Sequence, residues 1–233
     1  MREAAVSATR APIPKPRADL QALVARVAAR TQGAAEPPAE GARSHAVPPV
    51  AVGRTSAAPP AQGGRTSAAP PVAGWRAARP GEALVLMPGE LWAGAEATGV
   101  KTLLGSCVAM TLWHPRRRIG GMCHYLLPGR QRKGGEPADG RYGDEAVAAM
   151  VQVLERHGCV GHELVAHLYG GADTMAEAAG VKFNVGERNI EQGWKLIERY
   201  GFTLDGVDVG DNVPRTVTLG LASGSVECRR GQS

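Results

Sequence analysis

The stretch LLGSCVAMTLWHPRRRIGGMCHYLLPG, residues 103–129, decides the fold of this chain. Two apolar runs, at 107–113 and 119–127, flank a polar segment that begins His114-Pro-Arg-Arg. Short apolar runs that are joined by a few turn-forming residues are typical of a β-hairpin. The sequence therefore predicts two paired strands that turn at 114–117.

A hairpin that turns there without a bulge places Cys107 directly opposite His124. Residues so opposed have Cβ atoms roughly 4.5–5.5 Å apart on one face, which is within reach of a thiol–imidazole hydrogen bond. Cys123 would point to the other face, because side chains alternate along a strand. A bulge at Gly120-Gly121 would shift this register.

A cysteine beside a histidine is typical of a nucleophilic site. Imidazole takes the thiol proton, and the imidazolium then stabilises the thiolate. Gly105 and Ser106 suit a tight turn before Cys107, whose backbone N–H groups would stabilise an oxyanion. The structural alternative is a cysteine that packs as a small core residue beside a histidine that satisfies a backbone carbonyl. Spacing alone leaves both interpretations open.

A metal site is the rival interpretation of the cysteines and histidines. His157, Cys159 and His162 cluster in RHGCVGH. Structural zinc sites need a second ligand pair of matching spacing, which the sequence lacks, so we expect no metal. The glycine-containing segments at 170–173 and 186–189 match no P-loop or dinucleotide pattern. We interpret them as turns that line a site, and no cofactor is expected.

The chain from Gly81 onward combines short strands with two helices. Apolar residues at helical spacing predict helices at 142–157 and 187–200, the first followed by Gly158 in a C-terminal cap position. Further strands are predicted at 83–87, 100–104, 163–169, 202–209, 215–221 and 225–229. This pattern predicts a single layered α/β domain at 81–233 with mixed, mostly antiparallel strands.

The basic charge of the chain belongs to its first part. The 233 residues carry a formal charge of +5, with a pI near 9.3. Residues 1–80 hold 11 basic and 4 acidic residues, or +7, and 12 of the 17 prolines, which leaves −2 for 81–233. Such a segment buries too little apolar surface to offset its chain entropy, so we expect a disordered tail at 1–80. The slightly acidic domain does not support nucleic-acid binding.

The tail contains a repeat and one amphipathic segment. GRTSAAPP at 53–60 returns at 64–71, which indicates a duplicated linker. Apolar residues at helical spacing within 17–30 predict a short helix that docks on a partner or an anionic membrane, or has no binding role. No apolar run reaches the roughly 18 residues of a membrane span, and the N-terminus lacks a secretory signal. We therefore expect a cytoplasmic protein with reduced thiols.

The hairpin resembles the signature of the chemoreceptor glutamine deamidases, the CheD family. The matching segments are Leu104-Gly105-Ser106-Cys107-Val108-Ala109 and Gly120-Gly121-Met122-Cys123-His124-Tyr125-Leu126-Leu127-Pro128. The similarity continues through RYGDEA at 141–146, YGGAD at 169–173, VGERN at 185–189 and DVGDNVPR at 208–215. Several motifs in one order make the resemblance specific, and it covers nearly all of 81–229 and none of the tail.

The resemblance implies an α/β sandwich that deamidates methyl-accepting chemotaxis receptors. Cys107 would attack the side-chain carboxamide of a receptor glutamine, and His124 would protonate the departing ammonia. Water would then hydrolyse the thioester to leave glutamate, while backbone groups around Gly105 and Ser106 stabilise the oxyanion. The family also has a threonine that positions the histidine. Lys101 occupies that place here, and Thr102 is the nearest candidate.

Two further points follow from the resemblance. Asp211 stands where the family usually has glycine, so the loop before Arg215 is expected to differ in shape. The alternative function is a binding module with the same fold, which grips receptors or a chemotaxis phosphatase of the CheC type without chemistry. The presence of both Cys107 and His124 favours the enzyme.

Overall fold

The computed structural model describes residues 70–173 and 185–231. The strands in these residues are β1 (Val72–Ala73), β2 (Ala83–Leu86), β3 (Leu91–Gly94), β4 (Gly99–Leu104), β5 (Val108–His114), β6 (Ile119–Tyr125), β7 (Ala138–Asp139), β8 (Val165–Gly170), β9 (Thr203–Val209), β10 (Arg215–Gly220) and β11 (Val226–Arg230). The helices are α1 (Gly143–Arg156) and α2 (Val185–Tyr200), and a 3-10 turn covers Gly161–Glu163.

Two larger sheets carry the fold. One has five strands in the order β3-β6-β5-β8-β9, and the other has four in the order β11-β10-β4-β2. Neighbouring strands are antiparallel except for β8 with β9 and β2 with β4, which are parallel. β1 and β7 form a separate parallel pair. The predicted α/β domain with mixed, mostly antiparallel strands is confirmed.

The two larger sheets enclose one apolar cluster. The four-stranded sheet contributes alternate residues of its strands, because successive side chains point to opposite faces. Buried members of the cluster include Leu84, Leu86, Val100, Leu104, Ala109, Met122, Val217 and Leu219. The cluster therefore joins the inner faces of both sheets, and it is here that β4, β5 and β6 approach one another.

The other face of the five-stranded sheet packs against the helices. Tyr125 on β6 points to this side, where its hydroxyl donates to the carbonyl of Asn189 at 2.8 Å. The side-chain amide of Asn189 in turn donates to the carbonyl of Leu126 at 2.8 Å. Every residue of β6 is buried, because the sheet is covered on both faces. Such strands read as continuous apolar runs rather than as alternating ones.

Helix α1 ends as its sequence predicts. Gly158 has a φ of 74°, which is the left-handed conformation that glycine adopts most readily. Its N–H donates to the carbonyl of Glu155, and the N–H of Cys159 donates to that of Leu154. This pair of bonds is a Schellman motif, with His157 as the C-cap residue.

The hairpin is present, but its predicted register is wrong. Ala109, and not Cys107, pairs with His124, and the last pair before the turn is His114 with Ile119. The turn lies one residue later than predicted, because His114 continues the strand and Pro115 begins the loop. The loop closes at Arg118, which has a φ of 53° and donates its N–H to the carbonyl of His114.

The shifted register still keeps Cys107 and His124 on the same side of the sheet. Cys107 lies two residues before Ala109, and a two-residue offset preserves the face, whereas a one-residue offset would invert it. Cys107 packs against the apolar cluster between the sheets, to which Ala109 and Met122 also belong. The thiol therefore lies on the same side of the sheet as His124 but is not its direct cross-strand partner.

Residues before Gly81, the predicted start of the domain, pair and pack with the rest of it. Val72 on β1 is buried, and β1 pairs with β7. Trp75 packs against the cluster between the sheets. These two apolar residues stand in a background of Pro, Ala and Arg, so the segment shows no strand periodicity.

Other features of the tail lie outside the described residues. They are the amphipathic segment at 17–30 and nearly all of the repeat at 53–60 and 64–71. Among the residues that the structure does describe, no helix has both the length and the apolar character needed to cross a bilayer.

Candidate active site

Cys107 lies in the short turn that joins β4 to β5. Gly105, Ser106 and Cys107 are all half-buried, so the thiol is accessible at the edge of the apolar cluster between the sheets. Burial raises the pKa of the Cys107 thiol above its ordinary value. The cysteine is therefore protonated at neutral pH unless a base removes its proton.

His124 is buried on the same side of the sheet. Its Nδ1 lies 2.7 Å from the Oγ1 of Thr102, which reaches it across the space between the two sheets. The same Thr102 hydroxyl donates to the carbonyl of Leu86 at 2.8 Å. A hydroxyl has one proton, and a carbonyl oxygen only accepts, so Thr102 must accept from His124.

This arrangement sets the tautomer of the imidazole. Because Thr102 accepts, Nδ1 of His124 carries the proton and Nε2 presents a lone pair. Nε2 is buried and has no hydrogen-bond partner among the described residues. A buried acceptor without a partner costs free energy unless a donor arrives. The thiol of Cys107 is a donor on the same face.

The imidazole of His124 is neutral at physiological pH. Burial lowers its pKa to about 4, although the nearby carboxylate of Glu90 and the Leu86 carbonyl oppose the shift. A thiolate–imidazolium pair is the prediction from the sequence, whereas these pKa shifts favour the neutral forms of the thiol and the imidazole.

Glu90 is a neighbour of the site that the sequence analysis missed. Its carbonyl accepts from the N–H of His124 at 2.9 Å, and its carboxylate accepts from Arg76 at 3.1 Å. The adjacent Gly89 donates to the carbonyl of His124 at 2.7 Å. The segment before β3 is short and has no periodicity, so nothing in its pattern indicated this contact.

Free backbone donors lie beside the thiol. The N–H groups of Ser106 and Cys107 make no hydrogen bond to another residue in the described ranges. Adjacent backbone N–H groups that point to one place stabilise a negatively charged oxygen. The turn therefore holds two backbone donors that have no acceptor among the described residues.

The 170–173 segment lines this turn, as its glycines suggest. Gly171 donates its N–H to the carbonyl of Cys107 at 2.7 Å, and Ala172 donates to that of Gly105 at 3.0 Å. Gly170 has a φ of 108°, and a Cβ there would lie 2.2 Å from the Cys107 carbonyl oxygen. Glycine is therefore required for the two segments to approach this closely.

Comparison with known proteins identifies the family. A family model described as CheD chemotactic sensory transduction matches residues 126–230, beginning just after His124. A probable chemoreceptor glutamine deamidase CheD 1 from Chromobacterium violaceum is 41% identical over 153 residues, which cover 65% of this chain and 79% of that protein. This chain belongs to the CheD family. The resemblance seen in the hairpin motifs is thereby confirmed.

Similar proteins of the CheD family occur in other organisms. A probable chemoreceptor glutamine deamidase CheD 3 from Dechloromonas aromatica is 40% identical over 152 residues, covering 64% of this chain and 89% of the relative. One from Methanococcus vannielii is 34% identical over 143 residues, covering 61% of this chain and 92% of the relative. The similarity thus spans most of each relative's length.

Thr102 and Lys101, the two candidates for the position of the CheD threonine, point to opposite faces of β4. Thr102 is buried and points inward from β4 to His124. Lys101 is exposed, since the alternation of the strand turns it to the outer face. Thr102 is therefore the residue in contact with the histidine.

The remaining cysteines lie in different surroundings from Cys107. Cys123 points to the helix side of the sheet, where burial raises its pKa to about 12. Cys159 follows helix α1, and Cys228 lies on β11 with its sulfur 3.8 Å from a carboxylate oxygen of Asp208. Within residues 70–173 and 185–231, no three His, Cys, Asp or Glu side chains are arranged to hold a metal ion.

Proposed function

We propose that this chain is a protein-glutamine deamidase of methyl-accepting chemotaxis receptors, with Cys107 as nucleophile and His124 as general base. The observation that carries the proposal is Nε2 of His124, which is buried without a hydrogen-bond partner among the described residues, on the side of the sheet where Cys107 packs. The substrate class follows from the relatives, which are named as probable chemoreceptor glutamine deamidases.

The first half of the reaction forms a thioester. As the Cys107 sulfur bonds to the carboxamide carbon of the glutamine, the thiol proton passes to Nε2 of His124. The N–H groups of Ser106 and Cys107 hold the oxyanion that develops on the former carbonyl oxygen. The carbon–nitrogen bond then breaks, and His124 returns its proton to the leaving nitrogen, so that ammonia departs.

The second half releases glutamate. Water attacks the thioester carbon and gives a proton to Nε2 of His124. The carbon–sulfur bond breaks, and the sulfur of Cys107 regains its proton from the imidazolium. Thr102 keeps the imidazole in one orientation throughout, because its oxygen accepts from Nδ1 in both the neutral and the charged state.

The test is deamidation of purified receptor fragments, followed by mass spectrometry of glutamine-containing peptides. Wild-type protein should convert specific amides to acids, and Cys107→Ser should abolish the conversion. Cys228→Ser is the matched control, because it removes another half-buried thiol and should leave the rate unchanged.

A non-catalytic adaptor would give a different result. An adaptor would only bind receptors or a CheC-type phosphatase. It would bind equally well with and without Cys107, and it would alter no peptide mass. Conversion by the Cys107→Ser variant at the wild-type rate would place the chemistry on another residue. Binding to a CheC-type phosphatase stays a prediction, which co-purification would test.

A further inference from the structure

Arg215 is a fully buried cation whose guanidinium is hydrogen-bonded to the turn between β9 and β10, near the candidate active site. It begins β10 and has no solvent exposure. One terminal nitrogen donates to the carbonyls of Gly210 and Val213, at 2.9 and 3.1 Å. The other donates to a carboxylate oxygen of Asp208 at 2.9 Å. The guanidinium thus ties together both ends of the β9–β10 turn.

The carboxylate of Asp208 keeps this guanidinium in place from the outside. Burial opposes ionisation of Asp208, but hydrogen bonds from Arg230 and Arg215 lower its pKa to about 2. Arg230 donates through Nε to Asp208 at 2.8 Å and also reaches Asp211. The Asp208 carboxyl is therefore ionised at all physiological pH values, and it holds the buried guanidinium of Arg215 in place.

The β9–β10 turn is hydrogen-bonded to the Gly170–Asp173 segment, which lines the candidate active site. Gly210 donates its N–H to the carbonyl of Gly170 at 2.9 Å, and the carbonyl of Asp211 accepts from Asp173 at 2.7 Å. Gly171 then donates to the carbonyl of Cys107 at 2.7 Å. Main-chain hydrogen bonds thus link the turn held by the Arg215 guanidinium, through the Gly170–Asp173 segment, to the Gly105–Cys107 turn.

Strand pairing also connects Arg215 to the Gly105–Cys107 turn. Arg215 pairs with Leu104 in the β10–β4 register, and Leu104 is the residue before Gly105. The carbonyl of Gly105 also accepts from Ala172 at 3.0 Å. Both ends of the Gly105–Cys107 turn are therefore held by elements that Arg215 organises.

We infer that Arg215 is a positioning residue for the nucleophile, which it sets through the β9–β10 turn and the Gly170–Asp173 segment. This inference rests on the proposed function. A buried ion pair usually stabilises a protein no better than an apolar replacement would. A fork of donors that fits three acceptors at once, however, fixes a loop in a way that no apolar side chain reproduces.

The test uses the full chain with Arg215→Lys, which keeps the charge but cannot reach all three acceptors. Two quantities are measured: the rate at which iodoacetamide alkylates Cys107, mapped by peptide mass spectrometry, and kcat and KM for receptor deamidation. We expect at least a roughly tenfold loss in kcat and a changed alkylation rate, with KM nearly unchanged, because misplacement of a reacting group lowers the rate of chemistry.

The matched control is Glu145→Gln, on the helix side of the domain. Glu145 is also buried, pairs with Arg130 at 3.0 Å and accepts from the backbone of Asp139 at 2.6 Å. Its loss should lower the melting temperature without altering Cys107 alkylation or kcat. A general loss of stability would affect both variants alike, whereas a positioning role affects only Arg215→Lys.

A milder variant covers the case in which Arg215→Lys does not fold. Asp208→Asn removes the anchor of the guanidinium and leaves Arg215 in place, so it should shift alkylation and kcat in the same direction by less. Folded Arg215→Lys or Asp208→Asn protein with wild-type alkylation and kcat would overturn the inference. If the wild type deamidates no receptor, the proposed function fails, while the alkylation arm still tests Arg215.

Discussion

The hydroxyl of Thr102 lies 2.7 Å from Nδ1 of His124 and donates a hydrogen bond to the carbonyl of Leu86. The contact joins the two sheets, because Thr102 belongs to the four-stranded sheet and His124 to the five-stranded one. One threonine thus decides which imidazole nitrogen carries the proton and which one presents a lone pair.

We expect Thr102→Val to lower kcat about tenfold to a hundredfold, because the imidazole loses its fixed tautomer and orientation. The substitution also leaves the Leu86 carbonyl and Nδ1 of His124 unpaired, at a cost of about 1–3 kcal/mol each in unfolding free energy. Thr102→Ser keeps the hydroxyl and should restore most of the rate. Steady-state kinetics would contradict this role if kcat of the folded valine variant equalled that of the wild type.

The second prediction concerns stability in acid. His124 has a pKa of about 4 when folded, against a usual value of 6.5, so between these values only the unfolded chain takes up its proton. Stability should therefore fall as the pH drops from 6.5 towards 4, by up to about 3 kcal/mol from this group.

His124→Asn isolates that contribution, since an amide can still donate to Thr102 and does not titrate in this range. Urea unfolding at pH 7 and pH 4.5 measures both proteins. The wild type should lose more stability on acidification than the variant. Equal losses would show that the histidine is not a buried neutral base.

The third prediction concerns the start of the domain. Protein that begins at Gly81 lacks Trp75 and the N–H and carbonyl groups that pair with Leu91. Its unfolding free energy should be lower by about 3 kcal/mol or more, as for loss of a large packed side chain. Protein that begins at Pro70 should match the full chain in stability and in deamidation of soluble peptides. Equal stability of the two truncated forms would show that residues 70–80 contribute nothing.

The fourth prediction concerns Asp211, where the CheD resemblance leads one to expect glycine. Asp211 has a φ of 57°, the left-handed conformation that glycine adopts at no cost, so the loop has the backbone shape of a glycine turn. Asp211→Gly should be more stable than Asp211→Ala by about 1 kcal/mol, because only alanine is strained there. Both variants lose the contact with Arg230, so their difference in unfolding free energy reports the backbone alone.

The elements with strong periodicity were predictable from the sequence. Helix α1 was expected at 142–157 and spans Gly143–Arg156, because its apolar spacing and the glycine after it are both local signals. Strand β3 was missed. It has four residues, all buried, so it shows neither alternation nor the length of an apolar run.

The details of the site depend on contacts between distant parts of the chain. Spacing placed Cys107 and His124 on one face, but the register depended on where the loop closed, at Arg118. The tautomer of His124 depends on Thr102 in the other sheet, and no local pattern specifies how two sheets face each other. Arg215 ends one of the motifs that match the CheD family, but no local pattern predicts that its guanidinium is buried.

The most direct test of the account is capture of the covalent intermediate on the wild-type protein. Full-length protein is mixed with a glutamine-containing receptor peptide, quenched in acid within the first turnover and analysed by peptide mass spectrometry. The account predicts a γ-glutamyl thioester on Cys107. The mass of the Cys107 peptide then increases by that of the receptor peptide less ammonia, and this increase is absent in Cys107→Ser. Deamidation that proceeds with the adduct on another residue, or undiminished in Cys107→Ser, would contradict it.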